Sequence, residues 1–264
     1  MVNYAGRVEA RMTIPTGGAA VSATNSGGGP TTVTVAAGSY YLTAAGGVSS
    51  LISTLQTQLN ATRTPSNWTV SLSTTTGLVT INCTGTWSLA WTSTALRDVL
   101  GFAADITSVS SAQTGTQQAR GVWLPDCPLT LEGDLKRAPT VSDSRSAMSP
   151  TGNVITLVGN TYRRQRSLMW SHVPIAQVWG AQATYTNGSW EEFFRESQLG
   201  LGSSWFSPGS PIQVYDHQGN MLGSDATIAG WSMIGLTSVE PKKAITNWTG
   251  LWQIEVPQIV AVGP

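Results

Sequence analysis

Two histidines, His172 and His217, are all the imidazole chemistry this chain has. Asp216 precedes His217 in the run YDHQGN, and an adjacent carboxylate and imidazole could hold a metal or exchange a proton. Neighbouring strand residues point to opposite faces, however, and Gly219-Asn220 follow at once, so a polar hairpin turn explains the same residues. His172, in MWSHVP, closes a predicted strand and reads as a local hydrogen-bonding residue. Carboxylate pairs could do glycosidase-type acid–base work at a separation of about 5–10 Å. The candidates are Glu132 with Asp134, flanking Gly133 in a predicted turn, and Glu191, Glu192 and Glu196 on a predicted helix. Acids in a first helical turn are already explained by the helix dipole. No H-E-x-x-H, G-x-S-x-G or G-x-x-x-x-G-K-[ST] motif occurs. The two cysteines, Cys83 and Cys127, make neither a disulfide framework nor a zinc site, and Cys83 reads as a small buried hydrophobe. The expectation is a non-enzyme with no catalytic residue, cofactor or metal.

Binding chemistry has two further carriers. Of the eleven tryptophans, Trp68, Trp87 and Trp91 are candidates for stacking on sugar rings, although their place in strand alternations also suits a core. The run Tyr162-Arg163-Arg164-Gln165-Arg166 is the one concentration of charge. On a strand, Arg163 faces away from Arg164 and Arg166, giving either a solvated face or a stripe for a neighbouring copy or a nucleic-acid lumen. Trp190, Phe193 and Phe194 would pin a helix opened by the S-x-x-E capping box Ser189–Glu192 onto a sheet, and Trp190, Glu192 and Phe193 are also the remaining interface candidates.

These residues are carried by a chain of 264 residues in which 14 Lys and Arg balance 14 Asp and Glu. Charged residues make up 11%, against about 25% in ordinary soluble domains. Hydrophobic residues reach 41%, enough for a real core, and no apolar run has the ~18 residues of a membrane helix. Net neutrality argues against nucleic acid as the main partner. The opening MVNYAGRVEARMTIP has no apolar core of about 7–15 residues, so Sec export is not expected. A neutral chain rich in Ser, Thr, Asn, Gln and Gly has surfaces that are cheap to desolvate, which suits a part of an assembly.

The elements follow from periodicity. Val8, Ala10, Met12 and Ile14 alternate with Arg7, Glu9, Arg11 and Thr13, predicting one half-buried strand. The stretch TGGAAVSATNSGGGP reads as a loop or linker. From Pro30 to Phe102 the order ββ-α-βββ-α is predicted. Leu51, Ile52, Leu55 and Leu59 form one helix face, and Gly101 caps a second helix so that Phe102 folds back. Thr107 to Gln118 reads as a boundary or surface crossing. Strands follow at 153–159, 163–171, 211–216, 227–236 and 251–262, with Pro257 marking an edge or an end. The fold class is mainly β with minor α. Residues 1–16 would add a strand to the main sheet, 30–106 would form an α+β subdomain, and 119–264 the main β domain.

The phrases RRQRSLMWSHVP, GSWEEFFRESQLGLGSSWF and SPGSPIQVYDHQGN resemble the distal-tail and baseplate-hub proteins of long-tailed bacteriophages. The run TVAAGSYYLT to WTSTALRDVLGF is similar to a module of tail and baseplate proteins. The resemblance implies a β-sandwich hub with a packed helix, assembled as a ring, a hexamer, at the tail tip. It implies identical subunits and tail-tube, hub and fibre proteins as partners, with DNA only passing through the lumen and no membrane insertion. The implied location is the virion, after assembly in the host cytoplasm. The unit 30–106 would be an arm, a fibre dock or a sugar-binding module. The rival expectations are a receptor-binding adhesin for cell-surface glycan, another tail tube or terminator component, and a cell-wall hydrolase using Glu132/Asp134 or Glu191/Glu192.

Overall fold

The computed structural model describes residues 6–26, 28–43, 49–62, 67–125, 129–130, 145–148, 154–157, 165–179, 188–201, 204–216, 219–221, 230–234, 238–243 and 248–262. The fold is mainly β. Alternation over Arg7 to Ile14 produces two strands, β1 (Arg7–Ala10) and β2 (Met12–Ile14), where one was expected. Arg11 is the break: its N–H donates to Pro211 O at 2.8 Å, and the two strands then join different sheets. Nor is β1 half-buried. Val8, Ala10 and Glu9 are fully buried and Arg7 nearly so.

Next come β3 (Ala19–Asn25), β4 (Gly28–Val35), β5 (Gly38–Tyr41) and β6 (Ser49–Ser50), then α1 (Leu51–Thr62). They are followed by β7 (Thr69–Leu72), β8 (Val79–Asn82), β9 (Trp87–Ala90), α2 (Thr94–Val99), β10 (Ile106–Val109) and β11 (Gln113–Thr114). The stretch read as a linker is therefore β3, paired on both sides by β4 and β9. Its alternation is carried by small residues, with Ala19, Val21 and Ala23 buried, so a scan for bulky apolar positions passes over it. The Thr107–Gln118 crossing likewise holds β11, which pairs with β8.

Three small sheets result, ordered β10-β9-β3-β4, β11-β8-β7 and β2-β5-β6. Leu51, Leu55 and Leu59 of α1 are fully buried, and the helix lies beside both β4 and β7. Its polar residues complete the edge of β7. Asn60 accepts from Trp68 N (2.9 Å) and donates to Trp68 O (3.0 Å), while Gln56 accepts from Val70 N (2.8 Å). A covered edge cannot recruit a foreign strand. At the end of α2, Phe102 N donates to Arg97 O and Gly101 N to Asp98 O, with Gly101 at φ +79°, the expected left-handed cap.

The remaining elements are β12 (Val122–Trp123), β13 (Leu129–Thr130), β14 (Arg145–Met148), β15 (Val154–Leu157) and β16 (Gln165–Pro174). After them come α3 (Ile175–Val178), α4 (Trp190–Ser197), β17 (Ile212–Tyr215), β18 (Gly230–Ile234), β19 (Ser238–Lys243) and β20 (Trp248–Val262). An antiparallel sheet runs β12-β1-β17-β18-β20-β16-β13, with β19 also on β20. Pro257 does not end β20. It sits where the strand passes from β19 (Glu255↔Ser238) to β18 (Gln258↔Ile234), opposite a bulge in β16 between Arg166 and Leu168. The missing N–H falls at a gap in both ladders. His172 does not end β16 either: it is exposed at φ +68°, inside a second bulge between Trp170 and Val173.

A buried ionic cluster joins β1 to the segment after β5. Arg7 Nε lies 2.6 Å from Glu9 Oε1. Thr43 donates to both Glu9 oxygens, through its hydroxyl (2.5 Å) and its N–H (2.9 Å), and accepts from Arg7 (3.0 Å). The guanidinium also covers the Tyr215 ring at 4.1 Å. Burial, reinforced by Glu9, pushes the Tyr215 phenol up to about 12. Tyr41 is likewise raised by burial, and its hydroxyl lies against Gly230, where any Cβ would collide with it.

Two outcomes follow from this packing. Glu9→Ala leaves Arg7 buried without its counter-charge and should cost about 3–5 kcal/mol, read from denaturant midpoints, whereas Arg7→Met with Glu9→Leu should cost far less. Trp68 and Trp87 are 1% exposed and meet edge to face at 5.3 Å. Trp87→Ala should therefore cost about 3–5 kcal/mol by calorimetry, as a core truncation does.

Candidate interaction surface

The surface begins with a short helix held from beneath. Gln177 of α3 is fully buried; it donates to Leu124 O (3.4 Å), and its own carbonyl accepts from the Trp123 indole (3.3 Å). With Gln177 and Val178 turned inward, Ile175 and Trp179 are left outside at 45% and 46% exposure. Trp179 stands edge-on to Trp252 at 5.5 Å.

α4 packs beside α3. Ser189 caps it, its hydroxyl accepting from Glu192 N at 3.1 Å. Trp190 and Phe193 point inward, and Trp190 joins Trp123 (4.8 Å) and Trp170 (5.6 Å) in an aromatic cluster. At its far end the chain turns at Gly200 (φ +67°), leaving Leu199 and Leu201 at 50% and 53% exposure. Ile175, Trp179, Leu199 and Leu201 are the exposed large hydrophobic residues among the described ones, and all lie on or next to α3 and α4. Between the helices is a groove of about 250 Å³ lined by Val178, Trp179, Trp190, Phe194 and Leu199, with Glu191 and Arg195 at its sides. These exposed apolar side chains are gathered in one neighbourhood, whereas apolar residues scattered singly over a surface would need no explanation.

The opposite side of α4 is polar. A cavity of about 390 Å³ is lined by Gln118, Arg120, Glu192 and Glu196, among others. Arg120 Nη1 donates to Glu196 Oε1 at 2.7 Å. Burial raises the Glu196 carboxyl above its usual range, and Arg120 offsets this only in part. Gln118 accepts from Gly188 N and donates to Val122 O (2.7 Å).

The structure redistributes the residues singled out in the sequence. Trp190 and Phe193, expected at a subunit contact, are each 3% exposed and belong to the chain's own core; Glu192 alone of that trio is exposed. Trp68, Trp87 and Trp91 are buried too, so they offer no open ring face to a sugar. Their packing explains this: Trp68 meets Trp87 edge to face, and Trp91 packs tilted against Phe102 at 5.4 Å. Arg166 lies in β16 opposite Ile259, while Arg163, Arg164, Glu132, Asp134, His217 and Cys127 fall outside the described residues. Asp216 closes a polar turn, accepting from Asn220 N (2.8 Å) and Gly219 N (3.0 Å). Cys83 is free and buried. Among the described residues, no group of His, Cys, Asp and Glu could hold a metal ion, and no helix is long and apolar enough to cross a membrane. The exposed quartet of Ile175, Trp179, Leu199 and Leu201 escaped the sequence reading. An apolar residue on either side of Gly200 was its one local signal.

Compared with protein-family models, curated proteins and solved structures, the chain finds no match in any of the three.

Burial makes the charged form of Glu196 the costly one. A folded-state value above the unfolded one means that the ionised carboxylate costs stability above that value, and that this cost disappears as the folded protein takes up the proton. Glu196→Gln should therefore melt above the parent at neutral pH, and the gap should close on acidification through the carboxylate range, as read by calorimetry at several pH values.

Proposed function

We propose that this chain is a non-enzymatic structural component of a bacteriophage tail: a ring-forming distal-tail or baseplate part that links the tail tube to the tip hub or fibres. One observation carries the reading. In a chain with so little charge, the exposed large hydrophobic residues among the described ones gather on one surface at α3 and α4. The α4 side of that surface, with Leu199 and Leu201, belongs to the stretch WEEFFRESQLGLG, which resembles the tail proteins. A particle subunit needs a rigid platform that presents apolar contacts to copies and neighbours, and a tryptophan cluster beneath a capped helix provides that rigidity.

On this reading the large sheet is the core of a β-sandwich hub, and residues 30–106 are an arm or docking module. The partners are identical subunits, six by the resemblance, together with tube, hub and fibre proteins. DNA passes through the lumen without being bound, and the particle's tail tip is the site of action after assembly in the host cytoplasm. No cofactor is used. The adhesin alternative loses its first-named sugar platform, since Trp68, Trp87 and Trp91 are buried. A tail tube or terminator subunit would use the same surface properties in a different ring.

Native mass spectrometry and negative-stain microscopy of the purified full chain test the proposal. Discrete closed rings of one stoichiometry are expected. A monomer that persists at high protein concentration overturns it.

A further inference from the structure

We infer that the α3–α4 groove is a self-complementary contact in which two copies of this chain meet across a two-fold axis, with their α4 helices antiparallel. The inference deepens the proposed function and rests on its premise of self-assembly, because it names the partner of that surface.

The apolar part of the groove, Trp179, Phe194 and Leu199, says only that something dry covers it. The charges choose the occupant. Glu191 and Arg195 both line the groove, both are exposed, and they are one helical turn apart. A Glu four residues before an Arg is well placed to pair along a single helix. Yet among the described residues neither forms an ion pair; the three ion pairs there are Arg7–Glu9, Arg97–Asp98 and Arg120–Glu196. One anion and one cation thus flank the same apolar strip, about 6 Å apart along the axis.

A second α4 laid antiparallel across that strip brings its Arg195 level with Glu191 and its Glu191 level with Arg195. A single operation thus makes two ion pairs, with each charge matched once. An unrelated helix would need the reverse pattern by coincidence, whereas an isologous contact has it by construction. Phe194 lies between the two ion pairs, Leu199 follows one turn beyond Arg195, and Trp179 closes the groove from the end of α3. Such a two-fold joins copies in pairs and is independent of the head-to-tail contact that closes a ring.

Charge swaps on the full chain test this. Glu191→Arg leaves two cations on the strip, and Arg195→Glu leaves two anions. Each variant alone should self-associate through this contact at least tenfold more weakly by sedimentation velocity, with unchanged circular dichroism. An equimolar mixture of the two, one carrying a mass tag, should recover the association and yield the mixed pair in native mass spectrometry. Recovery in the mixture distinguishes a contact between copies from a pairing within one helix. Trp179→Ser should weaken wild-type association without affecting charge matching.

Unchanged association in both single swaps, or a mixture that stays apart, overturns the inference. Rings that form regardless of the swaps leave the tail reading standing without this contact. Pairs that obey the swaps but never form rings support the contact and overturn the ring. A wild-type monomer overturns both.

Discussion

A carboxylate with no solvent, Glu9, is the constraint on which the arrangement turns. It is fully buried, and what makes that tolerable is the Arg7 guanidinium and both donors of Thr43. The first two residues belong to β1, in the large sheet; Thr43 follows β5, in a small sheet with β2. The charge can therefore be buried only when the two sheets are in place together. Tyr41 against Gly230 adds a second fixed point on β18, where shape rather than charge sets the approach. A buried ion pair is weak evidence for net stability, but a misplaced one is costly, so it specifies which packing is allowed.

The same economy with charge shapes the exterior. Where other domains guard sheet edges with lysines, β7 is closed by the amide side chains of Gln56 and Asn60 on α1. The exposed large hydrophobic side chains among the described residues are confined to the neighbourhood of two helices held rigid by Gln177 below and the Trp123–Trp170–Trp190 cluster behind.

Legibility followed the strength of the local signal. Both helices between β4 and β10 could be read because Leu51, Leu55 and Leu59 keep helical spacing and Gly101 marks the stop, but three strands precede α1 where two were expected, since the two-residue β6 is too short to show a period. The α4 cap was equally plain from Ser189 and Glu192. β3 was missed because alanines carry its alternation, and the break at Arg11 because the period continues across it while the partners change. Pro257 misled for a related reason: proline ends a strand only when a ladder bond is needed at that position, and here the neighbours change instead. That Trp190 and Phe193 face inward could be read from the helix itself, but the partners Trp123 and Trp170 that receive Trp190 lie outside any window around α4.

The place of β1 in the large sheet carries a kinetic consequence. This earliest strand pairs on one side with β17, from the far end of the chain, and β20, the last strand, bridges β16, β18 and β19. Contact order is accordingly high, and chains of that kind fold slowly because loop closure precedes most of the reward. A nascent polypeptide leaving the ribosome would hold Val8 and Ala10 unpaired with β17, and Arg7 without the Tyr215 ring, until β17 emerged. During that interval the protein most needs a chaperone, or sister chains dilute enough not to interfere.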